Sequence, residues 1–200
     1  MNTEAPNSDP VVFVDLDDCL IHTRCISSLA CKPAGFVVLP CGDKGVPIHV
    51  STLRPSALKM LADLRGVAPV KIITTGTEDY AQRANELFSL GFDPSDIISR
   101  DGFLVTIRGA YGSSSLFPTD VDQFPNSVLI DNHPFAGSDG EKVRVKMNFL
   151  GIGGDRFFQV REFNGDPDPR RFLGEWLSIV RSVSTILKTD LSLRQIPLPS

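Results

Sequence analysis

FVDLDDCLIHT, residues 13–23, decides the fold, because an apolar run from Val11 to Val14 stops abruptly at the acidic trio Asp15, Asp17 and Asp18. A short run of β-branched and aromatic residues reads as a buried strand, and the carboxylates after it mark the strand's exit into a loop. Asp15 and Asp17 stand two residues apart, so both can serve one small site. Carboxylates packed that closely repel, and a cation with oxygen-rich ligation relieves them, which suits magnesium (Mg2+).

The same pattern recurs twice. In KIITTGTEDYA, residues 71–81, an apolar strand from Val70 to Ile73 ends in the hydroxyls Thr74 and Thr75, and Thr77 can cap the helix that follows. Tyr80, Ala84, Leu87 and Phe88 share one face of that helix, and Gly91 suits its left-handed end. In VLIDNHP, residues 128–134, a third strand ends at Asp131 and Asn132. Between the first and second strands, Leu58, Leu61 and Leu64 recur at helical spacing behind Pro55, with Ser51 or Thr52 as cap. A last helix carries Phe172, Leu173, Trp176, Leu177, Val180, Val183 and Leu187 as its stripe. Alternating strands and helices predict an α/β, Rossmann-like parallel sheet with helices on both faces and a site beyond the carboxyl ends of the strands.

One domain is expected over residues 10–188, with a disordered tail at 1–9 and a flexible tail at 189–200. The Gly-, Pro- and Cys-rich residues 24–50 read as a small β insertion, built on Gly35 to Leu39 and Val46 to Val50. Residues 143–163 alternate apolar and polar side chains, which predicts an extra hairpin turning at Gly153-Gly154. The net charge of -4 and pI near 5.3 argue against a nucleic-acid partner. No apolar run is long enough for a membrane span and the first residues lack a leader pattern, so an intracellular, cytoplasmic protein is expected, nuclear in a eukaryote, with a monomer favoured. Cys19, Cys25, Cys31 and Cys41 lack paired knuckle spacing and read as reduced thiols, with a disulfide or a metal site using His22 as the alternative.

Taken together, the three strand-ending motifs resemble those of the haloacid dehalogenase superfamily, whose first motif is D-x-D-x-T/V. The first segment is more narrowly similar to the D-L-D-E-T-L-V-H-S version in phosphatases acting on the RNA polymerase II carboxy-terminal domain. Asp15, Leu16, Asp17, Leu20 and His22 match it, whereas Cys19 departs. VLIDNHP resembles the family's I-V-D-N-S-P. Leu53-Arg54-Pro55 and the β insertion are further features of that branch. The resemblance implies a phosphatase that uses Mg2+ and takes the phosphoryl group from phosphorylated protein or peptide, on serine, threonine or tyrosine. In it, Asp15 is the nucleophile that forms an aspartyl-phosphate, and Asp17 is the acid and then the base. It gives Thr74, with Thr75 as a weaker candidate, the phosphate contact; Asp15, Asp17 and Asp131 the metal; and Asn132 the orientation of the ligands. Val37, Val38, Leu39 and Pro40 are candidates for a substrate groove.

One feature of the family is missing, since its third motif is a lysine ahead of the last acidic motif and no Lys or Arg stands between Gly109 and Asp131. Phosphoryl transfer depends on charge compensation. Either Arg108 reaches in as the phosphate-binding cation, which is the reading taken first, or a distant Lys142 or Lys146 substitutes, or the chain is a weak enzyme or a silent phosphopeptide-binding module. A small-molecule phosphatase is the remaining alternative, disfavoured by the lack of room for a large helical cap between the motifs.

Overall fold

The computed structural model describes residues 9–26, 28, 30, 35–39, 48–100, 124–135, 140–165 and 170–194. Its centre is a five-stranded sheet of β1 (Val12–Val14), β5 (Val70–Ile73), β6 (Ile97–Ile98), β7 (Val128–Asp131) and β8 (Phe157–Gln159), in the order β6-β5-β1-β7-β8. Every pairing is parallel, and Val12 lies level with both Val70 and Val128. The α/β Rossmann-like sheet expected from the alternating pattern is therefore present, with the motif-bearing strand in the middle.

Strand alternation splits the core into two layers. Val12, Val14, Ile72, Val128 and Ile130 face α1 (Ala57–Arg65), α2 (Glu78–Leu87) and α4 (Arg170–Arg194) through Leu61, Leu64, Ala81, Ala84, Trp176 and Val183. Phe13, Ile73 and Leu129 face the other way, onto Val143, Met147 and Leu150 of α3 (Gly140–Leu150). Helices thus cover both faces. Strands buried on two sides are apolar throughout, which is why β1 and β7 read as continuous apolar runs and not as alternation.

A second, antiparallel sheet, β2-β4-β3, is formed by β2 (Ile21–Ile26), β3 (Val37–Leu39) and β4 (Ile48–Leu53). It is the predicted insertion, but wider than expected, because the chain turns straight from the Asp18 loop into β2. Ser51 and Thr52 pair with Thr23 and His22 inside this sheet, so neither caps α1; Ser56 holds that place with a left-handed backbone, φ 68°. Thr77 does stand at the start of α2, without a side-chain capping bond. The left-handed residue that ends α2 is Ser89, φ 51°, with its N–H on the Glu86 carbonyl and that of Leu90 on the Asn85 carbonyl; Gly91, expected in that place, is also left-handed at φ 74° but stands two residues further on.

The hairpin expected at 143–163 is not formed. Residues 140–150 are helical, and Phe157–Gln159 is a parallel fifth strand beside β7. Val143, Val145, Met147 and Phe149 fit a period of two, but the buried residues Val143, Met147 and Leu150 follow the helical period. Burial of Lys146 on that helix, with a carboxylate partner on each side, accompanies the helical choice. At the other end of the chain α4 runs past residue 188 to Arg194, into the segment read as a tail. Among the described residues, no helix is long and apolar enough to cross a membrane. Val37 and Val38 are half-buried in β3, while Pro40 lies outside the described residues.

Candidate active site

The site lies at the carboxyl ends of β1, β5 and β7. Asp15 follows β1 directly, and its backbone N–H donates to the Ile130 carbonyl at 2.9 Å, which locks the first acidic residue beside the strand bearing Asp131. Both carboxylates are buried, Asp15 at 3% exposure and Asp131 at 0%. The ammonium of Lys146 reaches between them from α3, with Nζ 2.7 Å from Asp15 Oδ1 and 2.6 Å from Asp131 Oδ2.

Lys146 is thus a cation that the fold sets directly against the first and last acidic motifs. Arg108, taken first for that role, lies outside the described residues, as does the Lys142 side chain. Lys146 could be noticed in sequence only as a candidate, because it follows the last acidic motif and its segment fits two periodicities. Its position between Val143, Met147 and Leu150 at helical spacing was the available signal.

Asp17 is placed differently. Its carboxylate accepts from Thr74 Oγ1 at 3.2 Å and, by a short bond, from the Tyr80 hydroxyl. Thr74 is itself fixed, since the Gly76 N–H donates to Oγ1 at 3.0 Å. Gly76 is required there: a Cβ would stand 2.6 Å from the Tyr80 ring. Tyr80 also shares a hydrogen bond of 2.7 Å with Thr23, and Thr23 another of 2.7 Å with Ser51, joining the site to the inserted sheet. The sequence pattern placed Tyr80 on an apolar helix face. Its hydroxyl gives it a second, polar task that periodicity cannot show.

Thr75 is exposed, whereas Thr74 is buried. Asn132, with its amide nitrogen facing the acceptors, donates to the Asp17 carbonyl at 3.1 Å and to Asp15 Oδ2 at 3.2 Å. It thus ties the two halves of the first motif together. Asp131 Oδ1 accepts the His133 N–H at 2.8 Å and lies 3.1 Å from His133 Nδ1. His133 was not singled out from the sequence, although it stands where the related motif has serine.

The electrostatics follow from burial. Removal from water pushes the Asp15 carboxyl up to about 7 against the pull of Lys146, and Asp131 and Asp17 add repulsion. Burial also raises Asp17, opposed by the hydroxyls of Tyr80 and Thr74. Asp131 is the reverse case: burial disfavours its charge, but Lys146 and His133 outweigh it and hold the carboxyl low. Burial likewise acts to lower Lys146, and the two carboxylates more than offset it, so the ammonium stays charged.

Three carboxylates around one ammonium leave negative charge uncompensated. Asp15, Asp131 and His133 each offer a ligand atom, and these atoms lie within 4.8 Å of one another. This hard oxygen set with one imidazole fits a divalent cation. Asp17, expected among the metal ligands, is not in that group, because its carboxylate is turned toward Tyr80 and Thr74.

Beneath the site Arg54 is a structural post. Its guanidinium donates to the carbonyls of Asp18 and Arg161 and lies 4.8 Å from the Trp176 ring centre, 4.9 Å from Phe172 and 5.4 Å from Phe163. It holds the Asp18 turn, itself left-handed at φ 55°, against α4.

No protein-family model matches the chain, and no curated protein does. Several solved structures are similar to it in fold, among them two phosphatase structures. Fcp1, an essential RNA polymerase II CTD phosphatase, is 17% identical with a TM-score of 0.48, over 96% of this chain and 55% of that one. The fission yeast RNA polymerase II CTD phosphatase Fcp1 bound to beryllium fluoride is 18% identical with a TM-score of 0.49, over 94% of this chain and 53% of that one. The chain spans about half the length of these proteins, and what it resembles in them is the fold.

Proposed function

We propose that the chain is a divalent-cation-dependent phosphatase that takes phosphate from phosphorylated protein side chains through an aspartyl-phosphate on Asp15. The observation that carries this reading is the Lys146 ammonium bridging Asp15 and Asp131. A lost third-motif cation was the reason to suspect a silent binding module. A buried ammonium on the nucleophile removes that reason.

Each residue has a task that its surroundings support. Asp15 attacks phosphorus as a carboxylate, and Lys146 opposes the upward push of burial on that carboxyl. Asp17 hands a proton to the leaving alkoxide and later takes one from water; a carboxyl raised by burial suits a group that must do both. Thr74 and the N–H groups of the turn before α2 accommodate phosphate oxygens. Asp15, Asp131 and His133 would hold the cation, Mg2+ by the family resemblance, which when bound neutralises phosphate charge. A protein substrate on serine or threonine is the narrower proposal, drawn from that same resemblance.

The test is phosphate release from an aryl phosphate and from phosphoserine, phosphothreonine and phosphotyrosine peptides, with and without Mg2+, by wild type and Asp15→Asn. Cation-dependent turnover that vanishes in the variant is expected. Peptide binding without turnover would make the chain a recognition module, and turnover of small metabolite phosphates alone would reassign the substrate class.

A further inference from the structure

We infer that Thr23, on the inserted sheet, is a positioning residue for the reaction: acting through the Tyr80 hydroxyl, it keeps the transferable proton of Asp17 available to the leaving group. The inference rests on the phosphatase reading and deepens it, since it says how the acid is held ready. In that reading the Asp15 carboxylate bonds to phosphorus as the bond to the substrate oxygen breaks. The electron pair leaves with that oxygen, and the Asp17 proton neutralises it, so that Asp17 ends the step as a carboxylate. A proton given instead to a neighbouring hydroxyl is lost to the leaving group.

Two hydroxyls touch Asp17, Thr74 at Oδ2 and Tyr80 at Oδ1, and each donates. Each is also backed by a donor of its own. Behind Thr74 stands the Gly76 N–H, 3.0 Å from Oγ1. Behind Tyr80 stands Thr23, with Oγ1 2.7 Å from the phenol oxygen, and behind Thr23 stands Ser51, also at 2.7 Å. A hydroxyl has one proton to give. Ser51 is fully buried and, among the described residues, its hydroxyl has Thr23 as partner, so its proton goes there. Thr23 then gives its own to Tyr80, and Tyr80 to Asp17. Both ends of the chain fix the same direction, and bonds aligned in one sense polarise one another. With its oxygen occupied by Thr23, the phenol is a poor acceptor for the Asp17 proton. The pairing of β2 and β4 holds this arrangement in place, because Thr23 and Ser51 are register partners across the ladder. Loss of the Thr23 hydroxyl removes that donor from the phenol oxygen, and Asp17 can then give its proton to Tyr80 instead of to substrate.

The experiment compares kcat/KM, which covers the steps up to the aspartyl-phosphate, for two aryl phosphates alike in shape. Phenyl phosphate has a leaving oxygen that needs a proton, whereas the anion of para-nitrophenyl phosphate departs without one. Thr23→Val keeps the β-branched shape and removes the hydroxyl. It should lower kcat/KM for phenyl phosphate by about threefold to tenfold, the size of one hydrogen bond, and clearly less for the nitro compound. Ser51→Ala, one link further back, should shift the ratio of the two substrates in the same direction, with circular dichroism confirming each fold. Thr23→Ser should restore the ratio, and Thr23→Val added to Tyr80→Phe should bring no further loss, because the phenol that links Thr23 to Asp17 is gone. Equal losses on both substrates, or additive losses in the double variant, make Thr23 a structural residue and overturn the inference while the phosphatase reading stands. Hydrolysis of the nitro compound alone by wild type likewise overturns it. Turnover of neither substrate overturns both readings.

Discussion

At the scale of single residues, the site is a problem in buried charge. Lys146 is held between two carboxylates and is 1% exposed, so its removal leaves Asp15 and Asp131 facing each other without compensation. Breaking a buried pair from one side costs about 3–5 kcal/mol. Lys146→Met should therefore lower the urea midpoint by an amount of that order and reduce kcat by about a hundredfold or more, as loss of one charge-stabilising group does; chemical denaturation and steady-state turnover check the two effects. Asp15→Asn should behave oppositely. Burial already disfavours that charge, and Lys146 keeps Asp131 as partner, so activity should vanish while stability without metal changes by no more than about 1 kcal/mol. Asp15, Asp17 and Asp131 were legible in the sequence because each stands at a strand's end, where an apolar run stops. Lys146 was legible only as one of three candidate cations, and the polar roles of Tyr80 and His133 were not, because what matters in each is a contact made in the folded chain. No local spacing encodes an ammonium 131 positions from its carboxylate.

At the scale of elements, the inserted β sheet is connected to the chemistry by hydroxyls. Ser51 on β4, Thr23 on β2, Tyr80 on α2 and Asp17 after β1 form one hydrogen-bonded chain. Gly76 leaves the space that lets the Tyr80 ring lie against the Thr74 turn, and an added methyl would stand 2.6 Å from that ring. Gly76→Ala and Tyr80→Phe should therefore give similar losses, up to about tenfold in kcat/KM if one hydrogen bond of about 0.5–1.5 kcal/mol is what each removes. Kinetics on both variants and their double mutant check this, and additive losses would show that Gly76 does not act through Tyr80. The insertion was legible as β structure from its turn residues, whereas β2 was not. Ile21–Ile26 overlaps the acidic motif, and its strand character appears only once β4 pairs with it. The helix α3 was misread for a related reason: its alternation satisfied a hairpin, and tertiary burial of Val143, Met147 and Leu150 satisfied a helix.

At the scale of the whole molecule, the parallel architecture was legible because strands buried on both faces are apolar throughout and are separated by helical patterns. The strand order was not, since it depends on which crossovers the helices permit. It is this order, with β1 between β5 and β7, that gathers the ends of three distant segments into one site. The assembled molecule then carries three carboxylates against one ammonium at its centre, a surplus that a divalent cation binding only the folded chain would relieve. Such binding stabilises by about 2.7 kcal/mol at a hundred times Kd. For a chain of 200 residues, 1 kcal/mol moves the midpoint by about 2–4 °C, so saturating cation should raise Tm by about 5–10 °C. Asp131→Asn should abolish that rise, because it removes the carboxylate that both Lys146 and the cation site share. Arg54→Met, whose bonds go to Asp18, Arg161 and Glu175 and not to a candidate ligand, should lower Tm in apo and loaded protein alike: it strips the cation from the Phe163, Phe172 and Trp176 cage and leaves the Asp18 and Arg161 carbonyls without that donor. Thermal scans of wild type and both variants, with cation and with chelator, separate the two effects. A cation-induced rise that survives in Asp131→Asn would place the ion elsewhere on the surface.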